Sequence, residues 1–92
     1  MKIKVMAFAS FREILGKEQD LDIVGEATAS GVLAILAVRN KRFKEAAFDE
    51  SGQIRDYVLL MINRKRIDPR QDLSTRLHDG DELAVFPPVA GG

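Results

Sequence analysis

The feature that most limits the folds open to this chain is its last stretch, where Leu83-Ala84-Val85-Phe86 runs directly into Pro87-Pro88 and then Val89-Ala90-Gly91-Gly92. Proline has no backbone donor and holds φ at about −65°, so a sheet ladder entering at Leu83 cannot continue through Pro87. The chain beyond should leave as an extended arm. Ala90, Gly91 and Gly92 make that arm thin, and a Gly-Gly end can thread a channel too narrow for a Cβ. The arm therefore reads as a substrate that offers the Gly92 carboxylate to another protein. The plainer alternative is a frayed terminus, since chain ends are commonly loose and tolerant of small residues.

Upstream, the pattern is of short strands around one main helix. Lys2 to Phe8 alternates with period two, placing Ile3, Val5 and Ala7 on a core face and Lys4, Met6 and Phe8 on the other. Ser10-Phe11-Arg12-Glu13 has the spacing of a capping box and, with Ile14 and Leu15, predicts one or two helical turns stopped by a left-handed Gly16. Gln19 to Val24 alternates again, with Leu21 and Ile23 inward, and is expected to return antiparallel beside the first strand. Thr28 is a plausible N-cap for the main helix. Ala29, Val32, Leu33, Leu36 and Asn40 follow at helical spacing, while Ile35 and Val38 widen the apolar side. Lys41, Arg42 and Lys44 fall at the C-terminal end of that helix, where cations suit the helix dipole. Phe43, Ala46, Ala47 and Phe48 predict another short helical turn closing the base of the core, and Asp49-Glu50-Ser51-Gly52 a loop.

Tyr57 to Ile62 is a continuous apolar run, the mark of a strand with neighbours on both sides, and parity turns Val58, Leu60 and Ile62 toward the helix. Asn63-Arg64-Lys65-Arg66 predicts a turn into a short strand around Ile67 that Asp68-Pro69 ends, with its three consecutive bases solvated. Leu73 to Leu77 suggests a single tight helical turn, His78 to Asp81 a turn, and Glu82 to Phe86 the last strand with Leu83 and Val85 inward. Periodicity thus supports an α+β sheet with a helix on one face.

Composition narrows the function. At 92 residues the chain has room for one domain, which would bury roughly 60–65% of the surface its unfolded form exposes. The expectation is a single domain over 1–92 with a tail from about 87. No apolar run approaches the ~20 residues of a membrane span, and no signal peptide opens the chain, so a cytoplasmic protein with no membrane partner is expected. Fourteen basic and fourteen acidic side chains cancel, leaving no global field for nucleic acid. With no cysteine, any sulfur the protein carries must sit on something other than its own thiol. The lone His78 cannot by itself build a metal site. There is neither a phosphate loop nor a dinucleotide-binding glycine motif, so no ATP site is expected on the chain, and activation of an inert carboxylate must come from outside.

Phe86-Pro87-Pro88-Val89-Ala90-Gly91-Gly92, preceded by His78-Asp79-Gly80-Asp81-Glu82-Leu83, resembles the end of the MoaD-like sulfur-carrier family, the small subunits of molybdopterin synthase. This family belongs to the ubiquitin-like ThiS-MoaD superfamily. Lys2 to Gly16 and Val58-Leu59-Leu60-Met61-Ile62-Asn63 are similar to the family's opening and middle segments, whereas Lys41 to Arg55 carries no family motif. The resemblance implies a β-grasp fold, in which the first and last strands pair in parallel across the helix. It also implies a carrier that is not catalytic alone and binds no cofactor itself. An E1-like adenylyltransferase would spend ATP to convert the Gly92 carboxyl into a mixed anhydride, and a sulfur donor or sulfurtransferase would then leave a thiocarboxylate. Inserted into a MoaE-like large subunit of molybdopterin synthase, that thiocarboxylate would give its sulfur to a pterin precursor to form the dithiolene.

On this reading Gly92 is the reacting residue and Gly91 its slender neck, with Phe8, Phe86, Pro87, Pro88, Val89 and Ala90 binding partners. Parity puts Met6, Phe8, Ala84 and Phe86 together on the sheet face without the helix, an apolar patch of the kind that marks an interface. Arg66 departs from the family, which often has an apolar residue there, so the patch is smaller or its partner differs. The diproline favours a molybdopterin carrier over thiazole-synthesis carriers, which usually lack it. A ubiquitin-like modifier joined through Gly92 to lysines, a carrier for thiazole synthesis or tRNA thiolation, and a plain interaction module remain the alternatives.

Overall fold

The computed structural model describes residues 1–69 and 72–87. The order of elements is β1 (Lys2–Ala7), α1 (Ser10–Leu15), β2 (Glu18–Asp22), β3 (Ala27–Thr28), α2 (Ala29–Arg39), α3 (Lys41–Ala47), β4 (Leu59–Ile62), β5 (Lys65–Ile67), β6 (Arg76–Leu77) and β7 (Glu82–Phe86). Five strands form a mixed sheet in the order β2-β1-β7-β4-β5. β1 and β7 run parallel at its centre, with Val5 opposite Leu83 and Ala7 opposite Val85, as the family resemblance implied. The flanking pairs are antiparallel, Ile3 opposite Leu21 on one side and Leu60 opposite Val85 on the other.

Because side chains alternate along a strand, one face of this sheet is lined by Ile3, Val5, Ala7, Leu21, Leu60, Leu83 and Val85, all buried. Helix α2 covers that face with Val32, Leu33 and Leu36, while Phe11 of α1 and Phe43 of α3 meet edge to face at 5.3 Å and close its base. Thr28 caps α2 as expected, its hydroxyl accepting from the Gly31 amide at 3.0 Å.

Several local expectations are corrected. Ser10 is not the cap of α1. Ala9 holds that position at φ 53°, ψ −130°, so Ser10 already lies inside the helix and no side chain caps it. Gly16 stops the helix with positive φ (87°), although its ψ of 170° is extended and not left-handed helical. The main helix ends sooner than the apolar spacing suggests. Asn40 leaves helical geometry, its amide donating to Leu36 O and its side-chain oxygen accepting from the Phe43 amide at 3.2 Å. It thereby caps α3, and Lys41, Arg42 and Lys44 belong to that second helix, Lys41 and Arg42 at its N-terminal end and not at the dipole-favoured end of α2. Val38 does not widen the core, being 87% exposed, and Ala46 is also exposed.

The apolar run at Tyr57 is shorter as a strand than as a sequence. Tyr57 sits in an exposed turn, and β4 begins at Leu59. The hairpin after it needs only Asn63-Arg64 as its loop, since Ile62 already pairs with Lys65. Arg76-Leu77 is extended, not helical: β6 pairs antiparallel with β3, Leu77 opposite Ala27, in a two-stranded sheet. Both Leu77 and Ala27 are buried, so the pairing adds a second small wall to the core.

Candidate functional site

The sheet face opposite α2 is where the candidate residues meet. Met6 lies in β1 with Phe8 just beyond its end, and Ala84 and Phe86 lie in β7; the parallel register sets Met6 beside Ala84. Phe8 and Phe86 stack face to face, with ring centroids 4.2 Å apart and planes 5° from parallel. Met61 joins them from β4, opposite Ala84. Together with Arg64 and Glu82 these side chains line an apolar cavity of about 160 Å³. Met61 was missed as a site residue although strand parity placed it on this face, because the pairing of β4 with β7 is a tertiary fact.

Local geometry presents the ring of Phe8 with care. The Phe8 amide donates to Val85 O at 3.3 Å, which carries the β1–β7 ladder one residue past β1. The chain then reverses at Ala9, whose positive φ is unusual for a residue with a Cβ. The reversal leaves Phe8 on the cavity side and drops Phe11, three residues on, into the core at 1% exposure. Arg12 returns over the outer ring: its guanidinium carbon lies 5.4 Å from the Phe8 centroid, and its Nε donates to Ala7 O at 3.2 Å. Nothing in the sequence spacing marked Arg12 for this role except its place four residues after Phe8.

The other end of the face is held by a polar clasp. The Asn63 side chain donates to Asp81 Oδ1 at 2.9 Å and accepts from the Glu82 amide at 2.9 Å, tying the β4–β5 turn to the start of β7. The His78 amide donates to Asp81 Oδ2 at 2.7 Å. The Asn63 amide and the His78 N–H together hold the Asp81 carboxyl below the ordinary aspartate value. His78 stays exposed and serves this turn, and no group of potential metal ligands occurs among the described residues.

Of the predicted site residues, Phe8 and Phe86 are brought into contact, and Pro87 follows Phe86, half-buried. Pro88, Val89, Ala90, Gly91 and Gly92 lie outside the described residues. None of the described helices is long and apolar enough to cross a membrane.

A five-stranded mixed sheet with parallel central strands and a helix across one face is the β-grasp architecture of ubiquitin-like proteins. The comparisons then place the chain within that class: it belongs to the ThiS family, whose pattern matches residues 5–92. It is 32% identical over 100 residues to small archaeal modifier protein 3 of Haloferax volcanii, with all of both chains covered. It is 35% identical over 95 residues to the molybdopterin synthase sulfur carrier subunit of Aedes aegypti, covering 100% of this chain and 90% of that one. Among solved structures, SAMP1 from Haloferax volcanii superposes with a TM-score of 0.87 at 28% identity over the whole of both chains. A chain from the complex of subunits 1 and 2 of molybdopterin-converting factor of Helicobacter pylori gives 0.64 at 26%, again over both whole chains. The protein is thus a ubiquitin-like sulfur carrier of the ThiS and MoaD type, and carriers of this family are small proteins that are not catalytic by themselves.

Proposed function

We propose that this protein is the sulfur-carrying small subunit of a molybdopterin synthase, and that Gly92 is the residue on which the sulfur travels. The observation that carries the reading is the position of β7. The strand that ends in Phe86-Pro87 is central in the sheet, and its last side chain is stacked on Phe8 within an apolar, helix-free face. The residues after Pro87 would therefore start beside a surface suited to docking. Docking matters because a reactive terminus held in place reacts as if at very high local concentration.

The chemistry follows from the carboxylate. An E1-like partner would transfer AMP from ATP to Gly92, releasing pyrophosphate and forming an acyl-adenylate. Sulfide attack on the carboxyl carbon breaks the bond to AMP and leaves the thiocarboxylate. With a persulfide donor, the same attack gives an acyl disulfide, which a thiol must reduce to release the thiocarboxylate. The product is a soft nucleophile, ionised at neutral pH, which a large MoaE-like subunit would bring to the pterin precursor. Phe8, Phe86 and Pro87 would seat the partner. Pro88, Val89, Ala90 and Gly91 would thread its entry channel.

The likeness to an archaeal modifier protein supports a second reading, in which the same activated Gly92 forms an isopeptide bond with a lysine. Incubation with the organism's adenylyltransferase, ATP and a sulfur donor separates the two by intact mass. Replacement of one oxygen of Gly92 by sulfur, followed by pterin thiolation with the large subunit, is the expected result. A branched peptide on a target lysine, without thiolation, would establish the modifier instead. A residue added after Gly92 should abolish both.

A further inference from the structure

Two of the chain's three methionines meet in the helix-free cavity, and with no cysteine present thioethers are its only side-chain sulfurs. Met6 lies opposite Ala84 in the β1–β7 ladder, and Met61 lies opposite Ala84 in the β4–β7 ladder. The three residues thus form one row across neighbouring strands. The shortest side chain stands in the middle, between two long ones whose backbones are two strand spacings apart, roughly 10 Å. The dip over Ala84 belongs to the apolar cavity of about 160 Å³, which Phe8 and Phe86 also line. Met6 and Met61 are half-buried, and neither belongs to the core packed beneath α2. Both side chains therefore reach solvent and shape the surface of this face.

We infer that Met6 and Met61 form a reversible oxidation site through which hydrogen peroxide turns docking on this face off. Each thioether sulfur gives an electron pair to one peroxide oxygen; the S–O bond forms, the O–O bond breaks and water leaves. The sulfur is oxidised by two electrons and the peroxide is reduced by two. The product, a sulfoxide, puts a strong hydrogen-bond acceptor where an apolar sulfur stood. In the free carrier water satisfies the new oxygens. An apolar group seated over Ala84 would strip that water from both sides at once and leave the oxygens unpaired, which opposes binding. Methionine sulfoxide reductases, one for each epimer, restore the thioethers, so the block is reversible. The inference rests on the reading above, that this face receives a partner, and adds a means of regulating it.

The test exposes the purified carrier, with Gly92 as its free carboxylate, to dilute hydrogen peroxide, removes the peroxide, and titrates the product with the E1-like adenylyltransferase of the same organism. Peptide mass mapping should place one added oxygen on each of Met6 and Met61, as well as on the exposed Met1. Oxidation should weaken binding by about tenfold or more, keep the melting temperature within a few degrees, and be reversed by the two reductases. M6L/M61L removes both sulfurs and keeps Met1. Whatever affinity that variant starts from, peroxide should change it by no more than about twofold. Met6 and Met61 left intact while Met1 oxidises, unchanged binding after both are oxidised, or an equal loss in M6L/M61L would each overturn the site. Unfolding on oxidation would make the loss structural and overturn it as well. If the untreated wild-type protein does not bind, the docking reading falls and takes this inference with it.

Discussion

Phe8 and Phe86 come from opposite ends of the chain, yet their rings lie parallel at 4.2 Å, on the two strands that pair in parallel at the centre of the sheet. The stack joins the reversal after β1 to the end of β7. Both rings are half-buried, so they leave one edge of the pair available to a partner while securing each other.

Phe86→Ala should therefore cost about 1–2 kcal/mol of stability, from the lost stack and part of the ring's buried area. It should also weaken binding of the adenylyltransferase by roughly tenfold, as removal of an aromatic anchor commonly does. Denaturant unfolding and titration check the two separately. Phe86→Leu should recover most of the stability and less of the binding.

Ala9 is held at φ 53°, ψ −130° between the half-buried Phe8 and the buried Phe11. Ala9→Gly should raise stability by about 1 kcal/mol, because the strain of a Cβ in this region exceeds the entropy that glycine adds to the unfolded chain. Thermal unfolding would register the gain; a drop in midpoint would mean that the conformation is not strained.

Asn40 ends α2, caps α3 and also donates from Nδ2 to Ile14 O at 3.1 Å, fastening both helices to α1. Asn40→Ala should cost about 1–2 kcal/mol. Asn40→Asp keeps the acceptor for the Phe43 amide but loses the donor to Ile14, so it should fall between alanine and wild type. Equal stability of N40D and wild type would assign the whole effect to the cap.

Asp81 contributes a pH dependence. Its carboxyl is held below the ordinary value of 3.8, first by the Asn63 side chain and then by the His78 amide. A depressed folded-state value means that its stabilisation is full above pH 3.8 and is lost as pH falls through the lower folded value. Asp81→Asn should flatten this part of the acid-unfolding profile, and Asn63→Ala should do so partly while also loosening the β4–β5 turn. Urea unfolding between neutral pH and the acid limb measures it.

Much of this arrangement was legible before any coordinates. Ile3, Val5 and Ala7 alternate against Met6 and Phe8, and Leu83 and Val85 against Ala84 and Phe86, because a strand with one buried face must obey period two; the burial follows that parity. Thr28 advertised its helix because a hydroxyl before a non-polar helical run has few other uses. The errors fall where local signals compete with tertiary ones. Ser10 and Glu13 have cap spacing, but the β1–β7 ladder reaches Phe8 and forces the reversal onto Ala9, moving the helix start by one residue. Arg76-Leu77 looks helical in isolation and becomes a strand only because Ala27 lies alongside to pair with it.

Residue order alone dictated the core faces, the main helix, the class of fold and a chain that stops its sheet at a diproline, since each follows from periodicity or a backbone constraint carried within a few neighbouring residues. Which strands stand next to one another was settled only by the packed molecule. Setting β7 between β1 and β4 gathers Phe8, Met61 and Phe86 into one cavity and brings Asn63 to Asp81. Such meetings depend on pairing between segments far apart in the chain, and no local pattern encodes the distance between two residues that touch only after the sheet has closed.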